Sequence, residues 1–412
     1  MQSVKNGLHS FVVVLALALA VRVGVSVFTP VFDTSEARYA AIAANMARTG
    51  DFRVPRFTYK GVYQSFDGKP PLLFQAGGVC CKALGVSEIA VRLPVLAAAF
   101  VLLALLWSAV RVLAGGDRRV ALLAVGVTVT ATAYYALMGF CMTDGLLVTC
   151  VAGAILCHAA LVKTGNRNWS LGVAVLMGFG MLVKGPVAIV EFGVPVFLDT
   201  LVNRRWAVLR RYRWFSGAAL FLLVAAPWFV LRAKDDPGFL RYFFVNENLL
   251  RFLIREYGDR YGAGRETFRG MAAVWLLVVT LPWSPLVLWK LWRERESGWS
   301  LRNASATAVL GWGVVGITAF WCLTSRVPIA YLIPVVPLFA GWSVLTANAG
   351  ERRLAERLFP AFSGMTMLVL TVVLLSTMLF SDKMRGAEAP YRPKRYSYEF
   401  YHASGVPEGA AR

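Results

Sequence analysis

Long apolar stretches broken by short polar segments dominate this chain. Runs near 9–29, 88–112, 119–139, 143–163, 169–183, 185–202, 214–232, 270–290, 304–323, 327–347 and 361–380 stand out. Most approach or exceed the roughly 18 residues with which an α-helix crosses a hydrocarbon core of about 30 Å. The pattern predicts an all-α polytopic membrane protein of about eleven transmembrane helices. One further run, PPLLFQAGGVCCKALG (Pro70 to Gly85), is short for a span and carries Gln75, two glycines and Lys82.

Charge decides how that run is threaded. With the N-terminus and Lys5 inside and Pro70–Gly85 not crossing, five inner loops follow. They carry Arg111, Arg118 and Arg119; Lys163 and Arg167; Arg204, Arg205, Arg210, Arg211 and Arg213; Lys290, Arg293 and Arg295; and Arg352, Arg353 and Arg357. All are basic, as the positive-inside rule requires. Counting Pro70–Gly85 as a span would turn every one of them outward. The run therefore reads as an interfacial helix on the outer surface. Segments 30–87, 140–143, 233–269, 324–326, the turn at Lys184 and the chain after 381 then face outward together.

The composition fits: 58% of residues are apolar, and the net charge of +20 reflects basic inner loops rather than a nucleic-acid partner. The six cysteines form no CxxC pair and read as small buried hydrophobes. The three histidines, His9, His158 and His402, are scattered, and no metal site is expected. Residues 11–28 lack a convincing cleavage site and read as a retained first span.

The unusual charges share the outer face: Asp33, Glu36, Arg38, Lys69, Asp144, Lys184, Arg241, Glu247, Arg251 and Arg326. Ionisable groups at membrane depth are costly, so function is their default reading. Each also has a plain structural reading. Asp33 and Glu36 are spaced as an N-cap and its N3 partner, and Asp144 suits an N-cap as well. Arg38 is left unexplained by capping. Lys69, before the two prolines of GKPPL, either snorkels to lipid phosphates or holds the phosphate of a lipid substrate. Lys184 lies in LVKGP, where a stretch too long for one crossing reverses, and its apolar neighbours predict a buried anion partner. The segment DDPGFLRYFFVNENLLRFLIREYG predicts an interfacial helix with Arg241, Glu247 and Arg251 on its polar side. Arg326 and Tyr331 lie at another outer rim in SRVPIAYLIPVVP.

No Gly-rich phosphate loop, HExxH or Ser-His-Asp arrangement is present. Carboxylates with lysine, arginine and tyrosine suit a phosphate leaving group: cations stabilise its developing charge, and a carboxylate serves as base towards an incoming hydroxyl.

DTSEARYAAIAANMARTGDF, GKPPLLFQ, MTDGLL, LVKGP, RYFFVNENLLRFL and SRVPIAYLIPVVP occur in this order. Together they resemble the bacterial GT-C glycosyltransferases, in the branch of the lipid A aminoarabinose transferase and, more distantly, the protein O-mannosyltransferases. The likeness runs from about residue 9 to 350. It implies a GT-C bundle with interfacial helices in the first periplasmic loop, and inverting transfer of a sugar from a polyprenyl-phosphate donor on the periplasmic face of the inner membrane. The implied acceptor is a lipid (lipid A-like), a glycan or a protein. No cofactor and no nucleic acid enter, and membrane lipids surround the chain. By the same resemblance Asp33, Glu36 and Asp144 are the catalytic candidates. Arg38, Lys69, Lys184, Arg251 and Tyr331, with Arg241 and Arg326, are expected to bind substrate.

Two departures matter. Ser35 stands before Glu36 where the family often has an acid, which leaves open whether Asp33 or Glu36 is the base. The expected organisation is one transmembrane domain, 1–380, with outer loops 30–87 and 233–269, and a short periplasmic tail, 381–412. No counterpart of the larger relatives' periplasmic C-terminal domain is expected, so the acceptor does not carry over. A flippase or transporter of an anionic lipid-linked sugar would also use a basic cavity. The absence of an internal repeat and the near absence of charge on the inner halves of the spans disfavour it. A non-catalytic relative that binds such a lipid is the third reading, suggested by Ser35.

Overall fold

The computed structural model describes residues 2–31, 34–59, 62–254, 266–294, 300–302 and 305–386. The chain opens with α1 (Gln2–Phe28), then turns into α2 (Thr34–Thr49), a hairpin of β1 (Arg56–Tyr59) and β2 (Val62–Ser65), and α3 (Leu72–Leu84). There follow α4 (Glu88–Leu113), α5 (Arg118–Thr130), α6 (Thr132–Leu137), α7 (Thr143–Thr164), α8 (Trp169–Lys184) and α9 (Val187–Val202). A short α10 (Trp206–Leu209) leads to α11 (Trp214–Asp235). Beyond it, α12 (Phe239–Arg241), a π-helix (Tyr242–Leu250) and α13 (Arg251–Leu253) run on without a break. The remainder comprises α14 (Met271–Val279), α15 (Ser284–Glu294), α16 (Thr307–Cys322), a 3-10 turn (Ile329–Leu332), α17 (Val335–Thr346) and α18 (Ala349–Gly386).

Local chemistry sets the boundaries. Ser87 caps α4 by accepting the Ala90 N–H, and Asp117 caps α5 through the N–H groups of Arg119 and Val120. Gly165, left-handed at φ 71°, ends α7. Each predicted run falls on one helix or on consecutive helices. Among the described residues, five stretches are long and apolar enough to cross a membrane by themselves: His9–Phe28, Glu88–Leu113, Thr143–Thr164, Trp214–Asp235 and Ile329–Thr346.

The bundle centres on α7, where every residue from Thr143 to Leu161 is buried. Such all-round burial marks a helix enclosed by other helices rather than by lipid. Around it lie α4, α8, α9, α16 and α17. Pro70–Gly85 does form a helix, α3, begun after Pro71 as proline in a first turn allows. It packs between α2 and α4. Gly77 and Gly78 make that approach possible: a Cβ on either would lie about 3.0–3.1 Å from Ala43 atoms of α2.

The hairpin was not anticipated by the sequence reading. It pairs antiparallel with Arg56 opposite Ser65 and Tyr59 opposite Val62. Phe57 at its base is buried against Phe66, which also meets Tyr39 and Phe74. The following turn is tied to α11 by an Arg232–Asp67 pair at 2.8 Å, and the Trp228 indole donates to the Arg53 carbonyl. At the other end, α18 continues to Gly386, so the first residues of the expected tail are helical. The rest of the tail lies outside the described residues.

Candidate functional site

The turn before α7 is held from three sides. Arg92 of α4 grips Glu36 of α2 in a bidentate pair, Nε to Oε1 at 2.8 Å and Nη2 to Oε2 at 3.0 Å, with neither side chain exposed. Its remaining donors reach the carbonyls of Ser26, Thr29 and Pro30 at the end of α1. Glu36 Oε1 also accepts the Cys141 N–H at 2.9 Å. From α1, Arg22 donates to the Tyr135 and Ala136 carbonyls at 2.6 Å and to Ser26 Oγ. The two arginines therefore hold the end of α1, α2 and the entrance to α7 in one frame. Glu36 acts as a fastener within it. Its oxygens accept from Arg92 and from a backbone amide. Asp33, the other acid of that motif, lies outside the described residues.

That frame presents Asp144. Its N-cap reading fails, because α7 is preceded by Met142 at the cap position and the Asp144 carboxylate turns elsewhere. It accepts from Lys184 Nζ at 2.6 Å, and the two side chains are 8% and 5% exposed. The expected buried anion partner of Lys184 is thus Asp144. The same ammonium sits 3.6 Å from the centroid of the Tyr331 ring, a desolvated cation–π contact. Tyr331 packs on Trp321 at 4.5 Å.

Lys184 is aimed by the break that ends α8. Gly185 has φ 78° and ψ −149°, a conformation essentially reserved for glycine, and Pro186 starts α9. A Cβ at Gly185 would also lie 2.6 Å from Phe243 Cζ. Gly185→Ala is expected to cost about 1–3 kcal/mol of stability from the backbone alone. A thermal melt of the purified protein checks this; an unchanged midpoint would contradict it.

Tyr39 of α2 was missed in the sequence reading except as part of an apolar stripe. It is buried beside Arg38, Asp144 and Lys184. Burial pushes its pKa up, against the opposing pull of Arg38. Arg38 lies over the Tyr39 and Phe66 rings, and its Nε is buried with no hydrogen-bond partner among the described residues.

A second group adjoins the first. Lys69 Nζ reaches Glu247 Oε1 at 3.1 Å, and Arg251 Nη1 reaches the same oxygen at 2.6 Å. Glu247 belongs to the π-helix, a geometry frequent at functional sites. Two cations thus share one carboxylate. Phe252, next to Arg251, stacks on Phe320 and touches Trp321, and Phe243 of the π-helix covers Gly185. These contacts join the two groups. Arg326 pairs with Glu266 and lines a small polar cleft with Arg251, Arg269 and Ser325. Arg241 is exposed on α12 and belongs to neither group.

The comparisons agree with this architecture. Residues 68–230 match the family described as dolichyl-phosphate-mannose-protein mannosyltransferase. The undecaprenyl phosphate-alpha-4-amino-4-deoxy-L-arabinose arabinosyl transferase of Edwardsiella ictaluri is 25% identical over 338 residues, covering 79% of this chain and 56% of the relative. The Aeromonas hydrophila enzyme of the same name is 26% identical over 373 residues, 85% of this chain and 63% of that protein. The chain therefore spans little more than half the length of these relatives. Among solved structures, ArnT from Cupriavidus metallidurans bound to undecaprenyl phosphate superimposes with a TM-score of 0.71. It is 21% identical over 95% of this chain and 75% of its own. The Archaeoglobus fulgidus oligosaccharyltransferase in the apo form superimposes with a TM-score of 0.54. It is 14% identical, over 95% of this chain and 59% of its own.

Proposed function

This chain is a membrane protein of the GT-C glycosyltransferase fold, and on that premise we propose that it moves a sugar from a polyprenyl-phosphate donor to an acceptor at the outer face of the membrane. The observation that carries the proposal is the pairing of a buried Asp144–Lys184 pair under Tyr331 with a partly buried Lys69–Glu247–Arg251 group, joined through Phe252 and Phe243. The relatives' names point to an undecaprenyl-phosphate-linked amino pentose as the first donor to try. The acceptor is a lipid A-like lipid, another glycan or a protein hydroxyl.

In the proposed reaction the acceptor oxygen attacks the anomeric carbon opposite the phosphate, and inversion follows. The bond from that carbon to the phosphate oxygen breaks, and the phosphodiester monoanion leaves as polyprenyl phosphate with one further negative charge. Lys69, Arg251 and Arg38 answer that charge; they are preorganised cations in a site where water screens little. Glu247 holds Lys69 and Arg251 in place until the phosphate arrives. Asp144 takes the acceptor's proton, its lone pairs freed as Lys184 turns to the donor phosphate. Tyr331 supports Lys184 from below, and Glu36 acts only by fixing the entrance of α7. Arg326 lies further out, at the rim of the polar cleft, and is assigned to acceptor or headgroup contact.

The test is turnover. Purified protein in bacterial lipid is incubated with polyprenyl-phosphate sugars and an envelope extract, and released polyprenyl phosphate is measured by mass spectrometry. Release of one sugar establishes the transferase and names its donor. Saturable binding without release favours the non-catalytic reading, and vectorial movement of intact donor favours the flippase. Lys69→Ala and Arg251→Ala are each expected to weaken undecaprenyl phosphate binding about 10- to 100-fold, the worth of a charge-assisted hydrogen bond. Equal affinities in variant and wild type would remove those residues from the phosphate site.

A further inference from the structure

Glu191 lies about one turn into α9, wholly buried in a mostly apolar helix, and neither of the motif groups above includes it. Its Oε1 accepts the Trp321 indole N–H at 2.7 Å. Its Oε2 is buried with no hydrogen-bond partner among the described residues. A carboxylate in such a place is expensive, and packing alone would be better served by leucine. The contacts around it form one continuous line. Glu191 fixes Trp321 of α16, Trp321 packs on Tyr331, the Tyr331 ring carries Lys184, and Lys184 pairs with Asp144. Without that hydrogen bond the indole keeps its ring packing but loses the polar contact that fixes its orientation behind the ring beneath Lys184.

We propose that Glu191 is a positioning residue for the anionic donor: it locks the Trp321–Tyr331 ring pair on which Lys184 is mounted. The inference rests on the glycosyltransferase reading and deepens it, since it assigns a role to a residue that does not touch substrate. Glu191 acts through geometry, so an amide that still accepts from Trp321 should replace it. Leucine, which fills the space and accepts nothing, should not.

Four proteins test this: wild type, Glu191→Gln, Glu191→Leu and the double variant Glu191→Leu with Trp321→Phe. Donor KM and kcat are measured from released polyprenyl phosphate, and thermal midpoints are taken on the same preparations. Glu191→Gln is expected to stay within about threefold of wild type in KM. Glu191→Leu is expected to raise donor KM about tenfold, or 1.4 kcal/mol, with kcat little changed. Its midpoint should stay close to wild type, because removal of the unpartnered Oε2 offsets the indole N–H left without its acceptor. A purely structural residue would instead show a lower midpoint accompanying any loss. The double variant should match Glu191→Leu alone, since both changes cut the same connection.

Unchanged KM in Glu191→Leu, or a Gln variant as impaired as the Leu variant, would overturn the inference while wild-type turnover upheld the transferase. A wild type with no turnover on any polyprenyl-phosphate sugar would overturn the transferase reading itself, and the inference with it.

Discussion

Asp144→Asn is expected to reduce sugar transfer by about 10²–10⁴-fold, the range that a positioned general base contributes. The single variant carries a complication that the structure makes explicit. Lys184 is as buried as Asp144, and removing one partner of such a pair strands the other charge, at about 3–5 kcal/mol. Loss of activity alone would then be ambiguous between chemistry and unfolding. The companion is Asp144→Asn with Lys184→Met, which removes both charges and leaves a side chain able to lie on the Tyr331 ring. That protein should melt near wild type and still transfer no sugar. Released polyprenyl phosphate and the thermal midpoint, read on all three proteins, check the prediction. A double variant retaining a tenth or more of wild-type turnover would show that Asp144 is not the base.

The parts of this site that the sequence made legible are those where one residue's context was already abnormal. Lys184 followed a helix-length run and preceded Gly-Pro, so both the chain reversal and the need for a buried anion could be read. The structure supplies Asp144 for that anion. Pro70–Gly85, short for a span, was read as an interfacial helix, and it is a helix packed on α2 and α4. Lys69 and Arg251 were read together as cations of one face and do meet, although nothing in their spacing announced that Glu247 joins them.

The failures share a cause: partners far apart in sequence cannot be read from periodicity. The spacing of Glu36 from Asp33 fits a capping box, and nothing in that spacing reveals that its carboxylate also pairs with Arg92, 56 residues away. Arg22, Arg92 and Glu191 sit within stretches that are mostly apolar. A lone charge in a span was the available signal, and it deserved the same weight as the outward cluster. The hairpin at 56–65 has only four residues per strand, too few for alternation to register. The π-helix over Tyr242–Leu250 was expected as an ordinary amphipathic helix, because a 3.6-residue pattern does not reveal an i→i+5 ladder.

The Glu36–Arg92 pair leads to the other large effect. Glu36→Gln is expected to destabilise the protein by about 3–5 kcal/mol, a major share of a typical 5–15 kcal/mol stability. Neutralising the acid leaves Arg92 charged, wholly buried and facing only carbonyls and an amide. Arg92→Leu should be at least as damaging, since it strips the Ser26, Thr29 and Pro30 carbonyls of a shared donor. Replacing both with leucine removes the stranded charge, but those carbonyls and the Cys141 N–H stay unpaired. The double variant should therefore recover only part of the loss, unlike the Asp144–Lys184 pair. Thermal midpoints and the monodisperse fraction after purification read all three. The outcome also separates fastening from chemistry at Glu36. A Glu36→Gln protein that melts like wild type yet transfers no sugar would return Glu36 to the reaction centre. One that unfolds early, with residual activity in the folded fraction, fits a carboxylate whose work is to hold the entrance of α7 so that Asp144 faces the donor.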